Sequence, residues 1–276
     1  MAITRRAALK GVLATAIGAV TGTATYGIAY ERHRIGLTRA ALPVSGLPTA
    51  LDGLRIALLT DIHHSQLVGA DDVTKAVDLA LSEKPDLIVL GGDYVTFGDR
   101  AFVGPVADLL APLRAPHGVF AILGNHDDDK DMPAALARKG FTVLKDQRTR
   151  ITVHGQPLEM VGIRFWTRRA AEITRVLRDA KDTVLLLAHD PRRLTEASQL
   201  NIPVVLSGHT HGGQVLLPGV GAVAKAARFP ILAGSGHREN TSIFVSRGIG
   251  TVYVPIRFNC PPEVALVTLK TRGVGL

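Results

Sequence analysis

Cysteine is nearly absent from this 276-residue chain. Cys260 stands alone, so no disulfide can form within the chain, and cysteine usage leaves the redox compartment open. Aromatic residues make up only 5%, and no aromatic-basic, helix-turn-helix or zinc-finger signature is present. These absences argue against a nucleic-acid partner despite a formal net charge of +8. Most of that charge is local. Arg5, Arg6, Lys10, Arg32, Arg34 and Arg39 face only Glu31 at the N-terminal end, and the remainder of the chain is left at about +3. A basic balance gathered at one end reads as membrane contact. With 46% apolar and 20% charged residues the chain is not disordered, and its length suits one domain around one sizeable core. Internal repeats and low-complexity segments are missing after residue 31.

The N-terminus has the architecture of an export signal. Thr4 to Lys10 form a basic opening, and Gly11 to Tyr30 follow without a charge. That stretch is rich in Ala, Gly and Thr, long enough to span a bilayer yet less apolar than most spanning helices. Residues 1–30 are therefore expected to be a signal or membrane anchor, and Thr4-Arg5-Arg6-x-x-Leu9-Lys10 resembles the twin-arginine type. The protein is accordingly expected to be membrane-associated or exported. Pro43, Gly46 and Pro48 mark residues 31–50 as a linker, ahead of a domain over residues 51–272.

Within that domain, apolar strands alternate with helical segments, the pattern of an α/β or mixed sandwich fold. Residues 54–60 run into Asp61-Ile62-His63, and residues 86–90 run into Gly91-Gly92-Asp93, with a helical stretch over 71–83 between them. Residues 118–123 lead to Gly124-Asn125-His126-Asp127, residues 183–188 to His189, and residues 203–207 to Gly208-His209-Thr210-His211. Five strands thus deliver polar residues at their carboxyl ends, where layered α/β folds open a crevice for ligands. Asp61 and His63, like His209 and His211, are two apart, so each pair projects to one side of an extended chain. Carboxylate and imidazole together suit Zn, Mn or Fe rather than Mg or Ca. Asp93 follows two glycines that permit a turn, and Asn125 adds a neutral oxygen.

Taken in order, Asp61-x-His63, Gly92-Asp93, Gly124-Asn125-His126-Asp127, His189 and Gly208-His209-x-His211 resemble the motif blocks of the calcineurin-like metallophosphoesterases. The resemblance implies a four-layer αββα sandwich of two sheets flanked by helices, with the metal site at the strand C-terminal ends. It also implies two divalent ions: Asp61, His63 and His211 on the first, Asn125, His189 and His209 on the second, and Asp93 bridging. The ions outweigh Asp61, Asp93 and a shared hydroxide in charge, so such a centre attracts phosphate and directs in-line attack on phosphorus. His126 would protonate the leaving alkoxide, and Asp127 would orient its ring. The substrate is then a phosphoester. The segment from Ser246 through Arg257 to Glu263 resembles more narrowly the membrane-associated branch that includes UDP-2,3-diacylglucosamine pyrophosphatases, which implies a lipid pyrophosphate. The same residues leave open an inactive metal-binding envelope protein or a membrane-tethered interaction module, separated from an enzyme by phosphoester hydrolysis. His64, His237, Arg247, Arg257, Trp166 and Cys260 are expected to be structural.

Overall fold

The computed structural model describes residues 4–223 and 228–272. A 25-residue helix, α1 (Arg5–Ala29), precedes the domain. The chain then forms β1 (Gly36–Val44), β2 (Arg55–Leu59), α2 (Ala70–Ser82), β3 (Leu87–Leu90), α3 (Val103–Leu110), β4 (Val119–Ala121), α4 (Asp131–Arg138) and β5 (Thr142–Val143). A second half follows with β6 (Gln147–Val153), β7 (Gln156–Gly162), α5 (Ala170–Val176), β8 (Thr183–Leu187), α6 (Leu194–Gln199) and β9 (Val204–Ser207). Finally come the short hairpin β10 (Leu216–Leu217) and β11 (Gly221–Ala222), then β12 (Gly234–Arg238), β13 (Thr241–Val245) and β14 (Glu263–Thr271).

Two mixed six-stranded sheets result, ordered β1-β14-β2-β3-β4-β5 and β12-β13-β9-β8-β7-β6. Strands β2 to β5 are mutually parallel, as are β7, β8, β9 and β13. Parallel strands covered on both faces read as unbroken apolar runs, which is why Ile56-Ala57-Leu58-Leu59 and Val184-Leu185-Leu186-Leu187 show no polar alternation. Their side chains still alternate by layer. Ile56, Leu58, Val89 and Ile122 meet Leu185, Leu187, Met160 and Leu206 between the sheets. Ala57, Leu59, Ile88 and Leu90 turn outward onto Val73, Ala76, Val106 and Leu136 of α2, α3 and α4. Leu186, Val205 and Ile243 pack on Ile173 of α5 and on Leu194 and Ala197 of α6. Helix, sheet, sheet and helix therefore stack in four layers, as the motif resemblance implied.

The segment expected as a linker corrects that expectation. Residues 36–44 form an edge strand whose nine residues run parallel to β14 from Gly36 opposite Glu263 to Val44 opposite Thr271. Leu42 and Val44 enter the inter-sheet core, and Thr38 donates to Glu263 at 2.5 Å. Pro43 is tolerated because an edge strand needs hydrogen bonds on one side only.

Helix α1 stands off this body along most of its length, with Leu9, Leu13, Ile17 and Val20 all more than half exposed. Among the described residues, the segment from Leu9 to His33 is the one long and apolar enough to cross a membrane.

Candidate metal centre

The carboxyl ends of β2, β3, β4, β8 and β9 converge on one cleft, as their order in the two sheets requires. Each strand stops where the chain turns sharply. Asp61 (φ 52°), His63 (50°), Asp93 (56°), His209 (71°) and His211 (53°) all adopt left-handed backbone conformations, uncommon for residues with a Cβ. Such conformations cluster at functional sites, where surrounding contacts hold them in place.

Two groups of donors form there, Asp61 with His63 and His211, and Asp93 with His189 and His209. In the first, the Nε2 atoms of His63 and His211 lie 3.2 Å apart, and His211 Nε2 is 3.3 Å from Asp61 Oδ1. In the second, His189 Nε2 is 3.1 Å from Asp93 Oδ2. That same oxygen lies 3.6 Å from His63 Nε2, so Asp93 faces both groups. Asn125 Oδ1 is buried with no hydrogen-bond partner among the described residues. An orphaned buried amide oxygen is costly, and four imidazoles with two carboxylates converging within ligand distance of one another form a donor set suited to a metal. Both features fit a site built for cations.

Contacts behind the donors aim them. Asp61 accepts the His209 amide on both oxygens at 3.0 and 2.9 Å and the Thr60 hydroxyl at 2.9 Å. Asp93 Oδ1 accepts the His126 amide at 2.8 Å, leaving Oδ2 for the cleft. His189 donates from Nδ1 to Gly91 O at 2.7 Å, which fixes the tautomer that presents Nε2 as a lone pair to a metal. Glycine is required by close approach at two points. A Cβ on Gly124 would overlap the Asp93 carboxylate, and one on Gly208 would overlap that of Asp61.

All seven expected metal residues and His126 thus gather in one place. Asp127 does too, but in a different role from the one expected. Its Oδ2 accepts the amides of Asp93 (2.7 Å) and Gly124 (2.8 Å), and its Oδ1 accepts that of Tyr94 (2.8 Å). It locks the β3 and β4 loops together, while the Phe97 amide donates to His126 Nδ1 at 3.0 Å and orients that ring. Burial and the neighbouring Asp93 push Asp127 up to about 7 in the absence of cations, against the pull of those amides.

The cleft holds about 220 Å³ and is also lined by Arg192, Arg228, Phe229, Val252 and Tyr253. None of these was expected from sequence. Arg192, three residues beyond His189, carried a positional signal; the others come from loops that converge only in the fold. Arg192 pairs with Asp190 (2.7 Å) and stacks over Phe229 at 5.2 Å. Of the residues expected to be structural, His64, Arg247, Arg257 and Cys260 lie in packed or bonded positions. His64 is buried and donates to Val68 O, and Trp166 is 68% exposed beneath Arg168. Arg257 is fully buried, donating to the carbonyls of Gly250, Arg247 and Cys260, while Arg247 pairs with Glu263. Burial pushes the Cys260 thiol up, and its Sγ donates to His211 O, which makes it an unreactive packing residue.

The electrostatics set a pH dependence for metal uptake. Burial alone pulls His189 down, but the carboxylates of Asp93 and Asp61 outweigh it and raise the ring to about 10 in the cation-free protein. Below that value the imidazole holds a proton that an incoming cation must displace. Affinity should therefore rise with pH, by about tenfold per unit for one displaced proton. Calorimetric titration with Mn at pH 6 and pH 8, in buffers of different ionisation heat, checks both the slope and the proton release. A flat profile would mean that His189 is not displaced.

Comparison with known proteins agrees with this geometry. The profile of the calcineurin-like phosphoesterase family, Metallophos, matches residues 54–213. An uncharacterized metallophosphoesterase of Bacillus subtilis, YkuE, is 33% identical over 98% of this chain and 99% of its own length. Phosphodiesterase YaeI of Escherichia coli is 34% identical over 78% of this chain and 82% of its own. A zebrafish protein named as a transmembrane protein with a metallophosphoesterase domain is 29% identical over 94% of this chain and 62% of its own length. With the family's profile spanning more than half of its length and with end-to-end relatives of this similarity, the chain belongs to the calcineurin-like phosphoesterases and is a hydrolase of phosphoester bonds.

Proposed function

We propose that this chain is a phosphodiesterase that works with two divalent transition-metal ions and is held at a membrane by α1. The observation that carries the two-ion reading is the shared Oδ2 of Asp93, turned toward a donor group on either side. Asp61, His63 and His211 would hold one ion, and Asn125, His189 and His209 the other. Bound there, the ions supply Lewis-acid charge and lower the pKa of a water between them. Arg228 adds positive charge to the cleft, and Arg192, held by Asp190, presents its remaining N–H groups where a phosphate would enter. Because His126 Nδ1 accepts from Phe97, its proton sits on Nε2. That N–H hydrogen-bonds the leaving oxygen and stabilises the charge that develops as the in-line displacement breaks the ester bond, and water supplies the proton that completes the alcohol. The name of the Escherichia coli relative supports a diester over a monoester. The narrower lipid-pyrophosphate reading draws no support from Arg247 and Arg257, which bind Glu263 and main-chain carbonyls instead of facing the cleft.

The test is a substrate panel. The full chain, loaded in turn with Mn, Zn, Fe or Mg, is offered bis(p-nitrophenyl) phosphate, p-nitrophenyl phosphate and a lipid pyrophosphate. Diester hydrolysis is expected to be fastest, with Mn, Zn or Fe ahead of Mg. No turnover with any ion would leave a metal-binding envelope protein as the better account.

Export through the twin-arginine route forms part of the proposal, and it has a separate check. Replacing Arg5 and Arg6 by lysine keeps the charge but removes the feature that the export receptor reads. Cell fractionation should then find the domain retained in the cytoplasm. Normal extracytoplasmic exposure of that variant would point to an ordinary secretory signal.

A further inference from the structure

The loops around the cleft carry apolar side chains that no described residue covers. Tyr253 is 72% exposed, Val254 53%, Val220 74% and Phe97 66%. Single exposed apolar residues are ordinary, whereas a connected set marks an interaction surface. These residues are connected. The rings of Phe97 and Tyr253 lie 5.5 Å apart and flank His126 at 5.0 and 6.2 Å. The β10–β11 hairpin that carries Val220 joins the same surface, because the Leu216 amide donates to Phe258 O and the Val252 amide to the Gln214 side chain.

Helix α1 arrives at this very loop. The Arg257 amide donates to Gly27 O at 3.2 Å, and the Tyr26 ring meets that of Phe258 edge-on at 6.4 Å. A side chain at Gly27 would collide with Ile256, so the contact is close. Beyond it, Arg32 donates to Leu67 O at 2.9 Å, and the buried Glu31 accepts the Cys260 amide at 2.7 Å. The chain then enters β1 at Gly36, so α1 joins the domain through bonded contacts instead of a free tether. The exposed apolar side chains of α1 give way to Tyr26 and Tyr30 and then to Arg32 and Arg34. Tyrosine followed by arginine is the signature of a membrane–water boundary. That boundary touches the segment 256–260, which follows Tyr253 and Val254 closely in the chain.

We infer that the apolar rim carrying Val220, Tyr253 and Val254 rests on the bilayer surface, so that the cleft opens onto the lipid headgroups and takes phosphodiesters carried by membrane amphiphiles. The inference rests on the proposed reading of α1 as an anchor and of the cleft as a phosphodiesterase. The bilayer is the occupant that the rim's continuity with α1 selects, and Arg228 in the cleft suits its anionic headgroups.

Fluorescence tests the surface without needing activity. Trp166 is the one tryptophan, and Trp166→Phe removes it. On that background Val220→Trp or Val254→Trp reports the rim, while Thr152→Trp reports the opposite end of the second sheet, where β6 pairs with the start of β7. The full chain is reconstituted in vesicles of phosphatidylcholine and phosphatidylglycerol, with or without brominated acyl chains. Quenching at the rim should exceed that at Thr152→Trp by about twofold or more, as for side chains seated at the headgroup–acyl boundary. Equal quenching at both places overturns the docking surface. A second arm reads the substrate class with the double variant Val220→Glu and Val254→Glu. Its rate on a phosphodiester lipid in vesicles should fall about tenfold while its rate on bis(p-nitrophenyl) phosphate stays unchanged, because added charge opposes interfacial seating. Unchanged rates on both substrates overturn the inference. Failure of the unaltered chain on the soluble diester would instead sink the phosphodiesterase reading, and quenching would still report the surface.

Discussion

Asp93→Ala is expected to abolish turnover and to lower the metal content of the purified protein together. The carboxylate faces both donor groups, 3.1 Å from His189 and 3.6 Å from His63, so its loss weakens both ions at once. Stabilisation of a phosphoryl transition state by such a centre is worth several kcal/mol, so the rate should fall by about a thousandfold or more. Elemental analysis gives the second readout, and Asp93→Asn separates charge from shape. The asparagine keeps an acceptor for the His126 amide, which the carboxylate now binds at 2.8 Å. It should fold normally and still fail to hold two ions. Full activity in either variant, or in protein shown by elemental analysis to be metal-free, would end the two-metal account.

Replacing His126 by alanine should produce the other large effect, with a different signature. His126 lies outside both donor groups, so metal content should hold. The rate should drop by about a hundredfold to a thousandfold for esters whose leaving alkoxide carries the most developing charge. For p-nitrophenyl esters, whose leaving group departs as a stable anion, the loss should shrink. A plot of log rate against leaving-group pKa therefore steepens in the variant if the ring's N–H stabilises the leaving oxygen. Parallel lines for the two proteins would reduce His126 to a positioning residue. Phe97 enters this argument because its amide holds the ring in the tautomer that donates.

Much of the site was legible in the sequence because short range and long range agree there. Apolar runs such as 56–59 and 184–187 are short and run into polar residues, which reads as buried strands, and those polar residues emerge where the strands end. Their order along the chain then carried the family resemblance, and the fold followed. What escaped the reading depends on pairing across long separations. The strand 36–44 is interrupted by Arg39 and Pro43, and its partner β14 lies more than two hundred residues away, so locally it looks like a linker. Asp127 was misread for a related reason. Its neighbour His126 was an obvious partner in sequence, whereas the amides of Asp93 and Tyr94 that it binds come from another loop. The lining by Arg228, Phe229 and Tyr253 has no local pattern at all.

The position of β1 bears on where this chain can be shortened. Trimming the chain within residues 31–35 leaves the sheet intact, although it removes the Glu31 contact to Cys260. Trimming past residue 44 does something else. It uncovers the full nine-residue flank of β14, whose Val264, Leu266 and Val267 would then sit beside a row of unpaired main-chain donors and acceptors. An apolar strand with an open edge is a template for a second chain, so a domain shortened past β1 would gain a tendency to self-associate edge to edge.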